Sequence, residues 1–286
     1  MGMRIDLHVH SNVSDGTESP TRVVFAAQEA GLDVIGLCDH DTFDGLTEAR
    51  EAGRRIGLSV LGGVEMSTKY KGQPVHLLGF GCDPWNRPLF TELASLRVAR
   101  VERLQAFLER LEALGLPLTE DDVAESKGLS PVLGRPHIAD AMVAKGYVQN
   151  RDEAFDKYLG EGKPGYVERY STPLKDAIAL IRGAKGLAVI AHPWGRGSKD
   201  VLTGEALEKL AKAGLEGIEV DHTDHDQNDR SLLTELGART GLIRTGSSDY
   251  HGTGKTKNPL GINTTRPTAY QEIVKRIAAR GGVGPS

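Results

Sequence analysis

The sequence predicts an α/β fold: a closed barrel of seven strands, interrupted by an inserted helical subdomain. Short apolar runs recur at MRIDLHVH, VIGLCDH, LSVLGGVE, PVHLLGFG, LAVIAHP, GIEVDH and LIRTGSSDYH. Amphipathic segments lie between several of them, and that alternation is the signature of βα units. The runs also share a habit: His, Asp or Glu stands at or near the end of each.

Start and stop signals support the helices between the strands. Ser19 with Pro20 opens a helix that closes at Gly31, Thr172 with Pro173 opens another, and Asp229 caps a third ending near Gly237 or Gly241. From about Arg87 to Gly165 the rhythm breaks. RPLFTELASLRVARVERLQAFLERLEALG keeps a helical period over a long span, and shorter helical patterns follow. This places an inserted helical subdomain at 87–165 and the barrel domain at 1–86 and 166–286. Within the insertion, KGLSPVLGRPHIADAMVAKG is punctuated by Gly and Pro, with a candidate helix from near Pro136. The tail GGVGPS reads as frayed.

Composition bounds the function. A chain of 286 residues, 39% hydrophobic, can bury a substantial core. A formal charge of −4 argues against an overall electrostatic grip on nucleic-acid backbones, while a local pocket can still become cationic once metals bind. Cys38 and Cys82 make no disulfide framework and no CxxC zinc pair. The chain enters a strand pattern at Met3 without a signal core, and no apolar run approaches a membrane span. The expectation is a cytoplasmic protein that needs no membrane and shows no obligatory protein partner.

In the first strand Asp6, His8 and His10 alternate with Leu7 and Val9, so a period of two puts the three polar side chains on one face. His40, Glu65, His76, His192, Asp249 and His251 sit at or near the ends of the other runs, and in a parallel barrel those ends share one rim, where active sites are built. Buried carboxylates and imidazoles are costly unless satisfied, and divalent ions satisfy several at once. Nine candidates, His8, His10, Asp15, His40, Glu65, His76, His192, Asp249 and His251, exceed the needs of one ion and suggest two or three with shared carboxylates. Nitrogen and oxygen donors without thiolate suit manganese, iron or zinc.

In this order, DLHVHSNVSDG, GLCDHDT, GVEMS, HLLGFG, IAHP and GSSDYHG resemble the motifs of the polymerase and histidinol phosphatase (PHP) family over nearly the whole chain. The resemblance implies a distorted, TIM-like barrel of seven βα strands with a trinuclear metal centre held by the nine residues just named. Asp15 stands where many relatives have His. The insertion with GRPHIADAMV resembles the branch of nucleotide phosphatases and small exoribonucleases. That likeness implies a small phosphorylated substrate: a nucleoside 3',5'-bisphosphate, a nucleoside monophosphate or a short oligonucleotide.

Substrate contacts are expected from four residues. Arg135 and His137 stand at a helix entrance, where guanidinium, imidazole and free backbone N–H groups can meet a phosphate. Arg100 is assigned from resemblance to an Arg-rich helix in this branch, with Arg97 and Arg103 expected on a solvated face. In DHTDHDQ, His222 and His225 could bind substrate or donate a proton, and His225 is the one assigned. Cys38 is expected to be a small core residue. Chemistry then rests on a hydroxide bridging two ions, its pKa lowered to about 7, with no protein nucleophile. A third ion, Arg135 and His137 would hold the phosphate, and the proton donor to the leaving oxygen stays open.

Three alternatives compete. An amidohydrolase-type hydrolase also begins with HxH but commonly uses a carbamylated Lys at a strand end, where this chain offers Glu65 instead. A histidinol-phosphate phosphatase would share the metal centre. A noncatalytic PHP module assisting a polymerase is opposed by the apparently full ligand set.

Overall fold

Seven apolar runs become seven main strands. The computed structural model describes residues 2–127, 135–160, 162–168 and 170–286, so much of the Gly- and Pro-punctuated part of the insertion, 128–134, lies outside the described residues. The strands are β1 (Ile5–Val9), β2 (Val34–Leu37), β3 (Ser59–Tyr70), β4 (Gln73–Phe80), β5 (Thr172–Pro173), β6 (Leu187–Ile190), β7 (Gly217–Asp221) and β8 (Ile243–Gly246). The helices are α1 (Pro20–Glu29), α2 (Leu46–Ile56), α3 (Arg87–Ala113), α4 (Glu120–Lys127), α5 (Arg135–Ala144), α6 (Arg151–Ala154), α7 (Leu174–Gly183), α8 (Gly204–Lys212), α9 (Gln227–Thr240) and α10 (Pro267–Ala279).

The main strands follow the order β1-β2-β3-β4-β6-β7-β8, with the short β5 paired to β3. Val9 and Tyr250 form a parallel bridge, and His10 N–H donates to the Tyr250 carbonyl at 2.9 Å, which brings the last strand back to the first and nearly closes the barrel. Strands buried on both faces read as continuous apolar runs, as β2 and β6 do; β1 is buried throughout as well but carries Asp6 and His8 on one face. Gly36 permits the closest approach: a Cβ there would lie 2.3 Å from the Leu7 carbonyl oxygen of β1.

The barrel is not all parallel. β4 runs antiparallel to β3 and to β6. The reason is the connection: Tyr70 pairs with Gln73 across the two residues Lys71 and Gly72, whose φ values of 48° and 84° suit a two-residue hairpin turn. A parallel neighbour needs a crossover of a dozen residues or more. Glu65 therefore lies within the long β3 and not at its end, and His76 enters from the early part of a reversed strand.

Helix boundaries follow local chemistry with two corrections. Ser19 caps α1 as expected, its side chain accepting from Arg22 N–H at 3.2 Å. At α9 the cap is Asp226, which accepts from Asp229 N–H at 2.8 Å, and the helix closes at Gly241 with φ 70°. Thr172 caps nothing; it pairs with Thr68 of β3 and donates to Glu92 at 2.6 Å. The C-terminal residues are not frayed either, since Val283 N–H donates to Gly81 O at 2.8 Å and Ser286 N–H to Val60 O at 3.2 Å.

Two compact units result, one of Met1–Ala94 with Ser171–Ser286 and one of Ser95–Tyr170, against the expected insertion of 87–165. Among the described residues the barrel unit packs apolar side chains around Leu7, Leu78, Phe80, Val189 and Ile273, and a further cluster joins Val9, Ile35 and Val60 to α1 and α2. The helical unit has its own core around Phe107, Leu111, Ile138 and Met142. Among the described residues no helix is long and apolar enough to cross a membrane.

Candidate metal centre

Side chains that the period of two sends into the barrel meet at one end of it. His8 and His10 of β1 are fully buried, with Nε2 atoms 2.9 Å apart. The loop after β1 then folds back over them: a Cβ at Gly16 would sit 2.8 Å from the His10 carbonyl oxygen, so only glycine lets Asp15 return to the cluster. Asp39 anchors this loop by accepting from Ser11 N–H at 2.8 Å and from the Ser14 hydroxyl at 2.6 Å. Asp41 likewise accepts from Ser67 N–H at 2.8 Å. Asp39 and Asp41 are thus taken up by backbone N–H groups and serine hydroxyls, whereas the expected carboxylate ligands Asp15, Glu65 and Asp249 face the imidazoles.

Three groups of ligand atoms, each within 4.8 Å of one another, occur among the described residues: His10, Asp15, His40 and His251; His8, His10, Glu65 and Asp249; and His40, Glu65 and His76. They take in every expected ligand except His192, and its Nε2 lies 3.2 Å from Glu65 Oε1. Glu65 is the hub. Its Oε1 is 2.8 Å from His76 Nδ1, while Oε2 is 3.1 Å from His40 Nδ1, 3.3 Å from His10 Nε2 and 3.4 Å from His8 Nε2. Asp15 reaches His251 Nε2 at 3.1 Å and His40 Nε2 at 3.4 Å.

The donor set fits divalent cations. His10 Nδ1, His40 Nδ1 and His251 Nε2 are buried without a hydrogen bond and lie 3.6, 3.1 and 3.1 Å from carboxylate oxygens of Asp15, Glu65 and Asp15, donors of the kind that a shared cation satisfies. His251 Nδ1–H donates to the Asp249 carbonyl at 2.8 Å, which leaves the Nε2 lone pair pointing inward, the arrangement found in metal-binding imidazoles. Two residues of the cluster, His192 (φ 27°) and Asp249 (φ 55°), hold left-handed backbone, which costs roughly 1–3 kcal/mol each in a non-glycine residue.

Charge follows the same geometry. Burial alone would raise the Glu65 carboxyl, but His40, His76 and His8 outweigh it and hold it well below its usual range. Asp249 is treated likewise: burial opposes ionisation, and Lys255, 2.6 Å from Oδ2, with His8 reverses that. Burial opposes charge on His10 too, yet Asp249 and Glu65 push it up to about 9. A field that draws protons to buried imidazoles also favours divalent cations.

With this geometry the comparisons become informative. The PHP domain family matches residues 6–117. A 3',5'-nucleoside bisphosphate phosphatase of Chromobacterium violaceum is 35% identical over 96% of this chain and 97% of its own. The chain belongs to the PHP family. A 5'-3' exoribonuclease of Haemophilus influenzae is 34% identical over 88% of this PHP chain and 91% of its own. A solved structure from Bifidobacterium adolescentis, described as a metal-dependent phosphoesterase, superposes with a TM-score of 0.83 at 37% identity, covering 96% of this chain and 97% of that one. This PHP protein is a metal-dependent phosphoesterase.

Its remaining expected residues divide. Asp6, though on the His8 and His10 face, is used structurally: it accepts from Ser248 N–H at 3.0 Å and Gly261 N–H at 2.9 Å, and burial pushes its carboxyl up to about 6 against those bonds. His225 does not face the cluster. Its Nδ1–H donates to Val220 O at 2.9 Å and its Nε2 accepts from Trp194 N–H at 3.3 Å, so both nitrogens are engaged. His222 is the one that reaches inward, with Nε2 3.6 Å from Asp249 Oδ2. The sequence reading also passed over Lys255 and Glu219. A signal for Glu219 was present, because it alternates with Ile218 and Val220 just as His8 alternates with Leu7 and Val9.

Arg100, Arg135 and His137 belong to the helical unit, all half-buried. The guanidiniums of Arg135 and Arg103 each lie 5.8 Å from the Tyr166 ring, and Arg103 donates to Val167 O at 2.9 Å. Arg103 is thus packed inward and not on the solvated face expected for it. Burial, then repulsion from Arg135 and Arg100, lowers its proton affinity. Cys38 is a buried core residue as expected, its thiol raised by burial and then by Glu65.

Proposed function

We propose that this phosphoesterase removes phosphate from nucleotides, with a nucleoside 3',5'-bisphosphate, a nucleoside monophosphate or a short oligonucleotide as substrate, using two or three manganese, iron or zinc ions. The observation that carries the metal reading is Glu65, one carboxylate shared between two groups of ligands. The nine expected residues would hold the ions: His8, His10, Asp15, His40, Glu65, His76, His192, Asp249 and His251. Bound there, divalent ions supply Lewis acidity toward phosphoryl oxygens and a water nucleophile at neutral pH.

The chain's own residues supply the rest of the reading. His222 Nδ1 accepts Asp224 N–H at 3.1 Å, so the neutral ring carries its proton on Nε2, beside Asp249. A ligating imidazole needs the opposite tautomer, and His222 is better suited to donate to a substrate oxygen. Arg135 shares the Tyr166 ring with Arg103, whose proton affinity it lowers, and this supports phosphate recognition, because neighbouring guanidiniums are relieved by an anion. The names of the Chromobacterium and Haemophilus relatives support a nucleotide over histidinol phosphate.

The test is release of inorganic phosphate from nucleoside bisphosphates, monophosphates, 5'-phosphorylated dinucleotides, histidinol phosphate and p-nitrophenyl phosphate, each with manganese, iron or zinc and with metal analysis alongside. The expected result is preference for a nucleotide and more than one equivalent of metal per chain. Fastest turnover of histidinol phosphate would overturn the substrate; a stoichiometry at or below one would overturn the shared-carboxylate centre.

A further inference from the structure

We infer that Glu219 is a positioning residue that sets two metal-facing histidines at once, one on β1 and one just after β6, fixing the ring of His8 and the backbone of His192. The inference rests on the reading that the cluster binds metal. Glu219 is central in β7 and fully buried. Its Oε1 lies 3.3 Å from His8 Nδ1, and its Oε2 accepts the His192 N–H at 2.9 Å. The Ser247 hydroxyl of the chain just after β8 also donates to Oε1.

Each contact has a separate consequence. A carboxylate can only accept, so His8 must carry its proton on Nδ1, and its Nε2 lone pair then faces His10, Glu65 and Asp249. Imidazoles that bind metals are commonly oriented in this way by a carboxylate on the far nitrogen. At His192 the bond acts on the main chain, where φ is 27° and the backbone would otherwise relax out of the left-handed region. Ser247 tethers the carboxylate itself. The contrast with His222 is instructive, since there the far nitrogen accepts a backbone N–H and the near one keeps its proton.

Manganese titration calorimetry and metal analysis of Glu219→Gln test this, with circular dichroism as a check of folding. An amide offers one acceptor oxygen where the carboxylate offers two, so it cannot serve His8 and His192 alike. Manganese affinity should fall about 10- to 100-fold, the usual cost of losing an outer partner of a metal-binding His, and Glu219→Asp, which keeps the charge, should recover part of it. Wild-type affinity in a folded Glu219→Gln protein would overturn the inference while leaving the metal centre standing. If wild type itself binds no metal, the underlying reading fails instead. A second measurement needs no variant: in the zinc-loaded wild type, ¹⁵N-histidine spectra should show His8 protonated at Nδ1 and coordinated through Nε2. Coordination through Nδ1 would overturn the inference.

Discussion

The barrel and the helical unit solve burial in opposite ways. Inside the barrel, His8, His10, Glu65, His192, Glu219, His222, Asp249 and His251 are all buried. Among the described residues of the helical unit no polar or charged side chain is fully buried; its interior is Phe107, Leu111, Ile138, Met142 and their apolar neighbours. Its ion pairs, such as Lys145 with Asp122 at 2.7 Å and Lys157 with Glu153 at 2.7 Å, lie toward solvent. Surface pairs of this kind contribute little, about 0–1 kcal/mol. Taking a charge out of water costs several kcal/mol unless it is well paired. The barrel therefore stores polar groups that only a function explains, whereas the helical unit holds together by apolar burial.

The sharpest way to break that contrast is to remove a ligand. Asp249→Ala or His10→Ala should take turnover to background, a larger effect than the 10- to 100-fold typical of outer partners, with little change in circular dichroism. Metal that binds only the folded state stabilises it by mass action. A chelator should accordingly lower the Tm of wild type and leave the Tm of Asp249→Ala nearly unmoved. Near-native turnover in both variants, with metal restored, would mean that the chemistry lies elsewhere.

Much of this candidate centre was legible in the sequence, because β1 writes its inward face in every second residue and His40, His192, Asp249 and His251 follow the ends of their apolar runs, whereas Glu65 lies within β3 and His76 near the start of β4. What escaped depended on contacts between distant segments. The choice between His222 and His225 turns on which ring nitrogen meets Asp224 N–H or Val220 O, and both residues look alike in DHTDHDQ. Arg103 was misplaced because Tyr166 and Val167, far along the chain, cover its face of α3. Thr172 looked like a cap and became a strand because Thr68 waits for it. The reversal of β4 was different: the two residues Lys71 and Gly72 between apolar runs are a hairpin cue, and reading them would have corrected the parallel barrel.

A core substitution in the helical unit sharpens the comparison from the other side. Leu111 is fully buried among apolar neighbours. Leu111→Ala should cost about 2–5 kcal/mol through lost transfer energy and a residual cavity, read as a lower denaturant midpoint for that unit. Metal content should match wild type, since no described ligand lies in Ser95–Tyr170. Loss of metal in step with the destabilisation would show that the two ways of using the interior are not separable.

The smallest expected effect decides whether the helical unit reads the substrate. Arg135 engages the rings of Phe155 at 5.7 Å and Tyr166 at 5.8 Å and the Leu159 carbonyl at 3.5 Å, none of which neutralises its charge. If it holds a phosphate that is bound but not cleaved, Arg135→Ala should lose a charge-assisted interaction of roughly 1.5–3 kcal/mol, on the order of ten- to a hundredfold in kcat/KM. A nucleoside bisphosphate or 5'-phosphorylated dinucleotide would show that loss, while p-nitrophenyl phosphate, with only its reacting phosphoryl group, would be affected much less. If Arg135 holds the phosphoryl group under attack, both substrates should fall together, because the contact strengthens in the transition state. Arg135→Lys separates charge from shape: it keeps the cation but loses the planar fork and the stacking on Tyr166, so a partial rescue marks a phosphate contact. A purely structural Arg135 would instead lower the stability of the helical unit and leave kcat/KM unchanged on every phosphorylated compound.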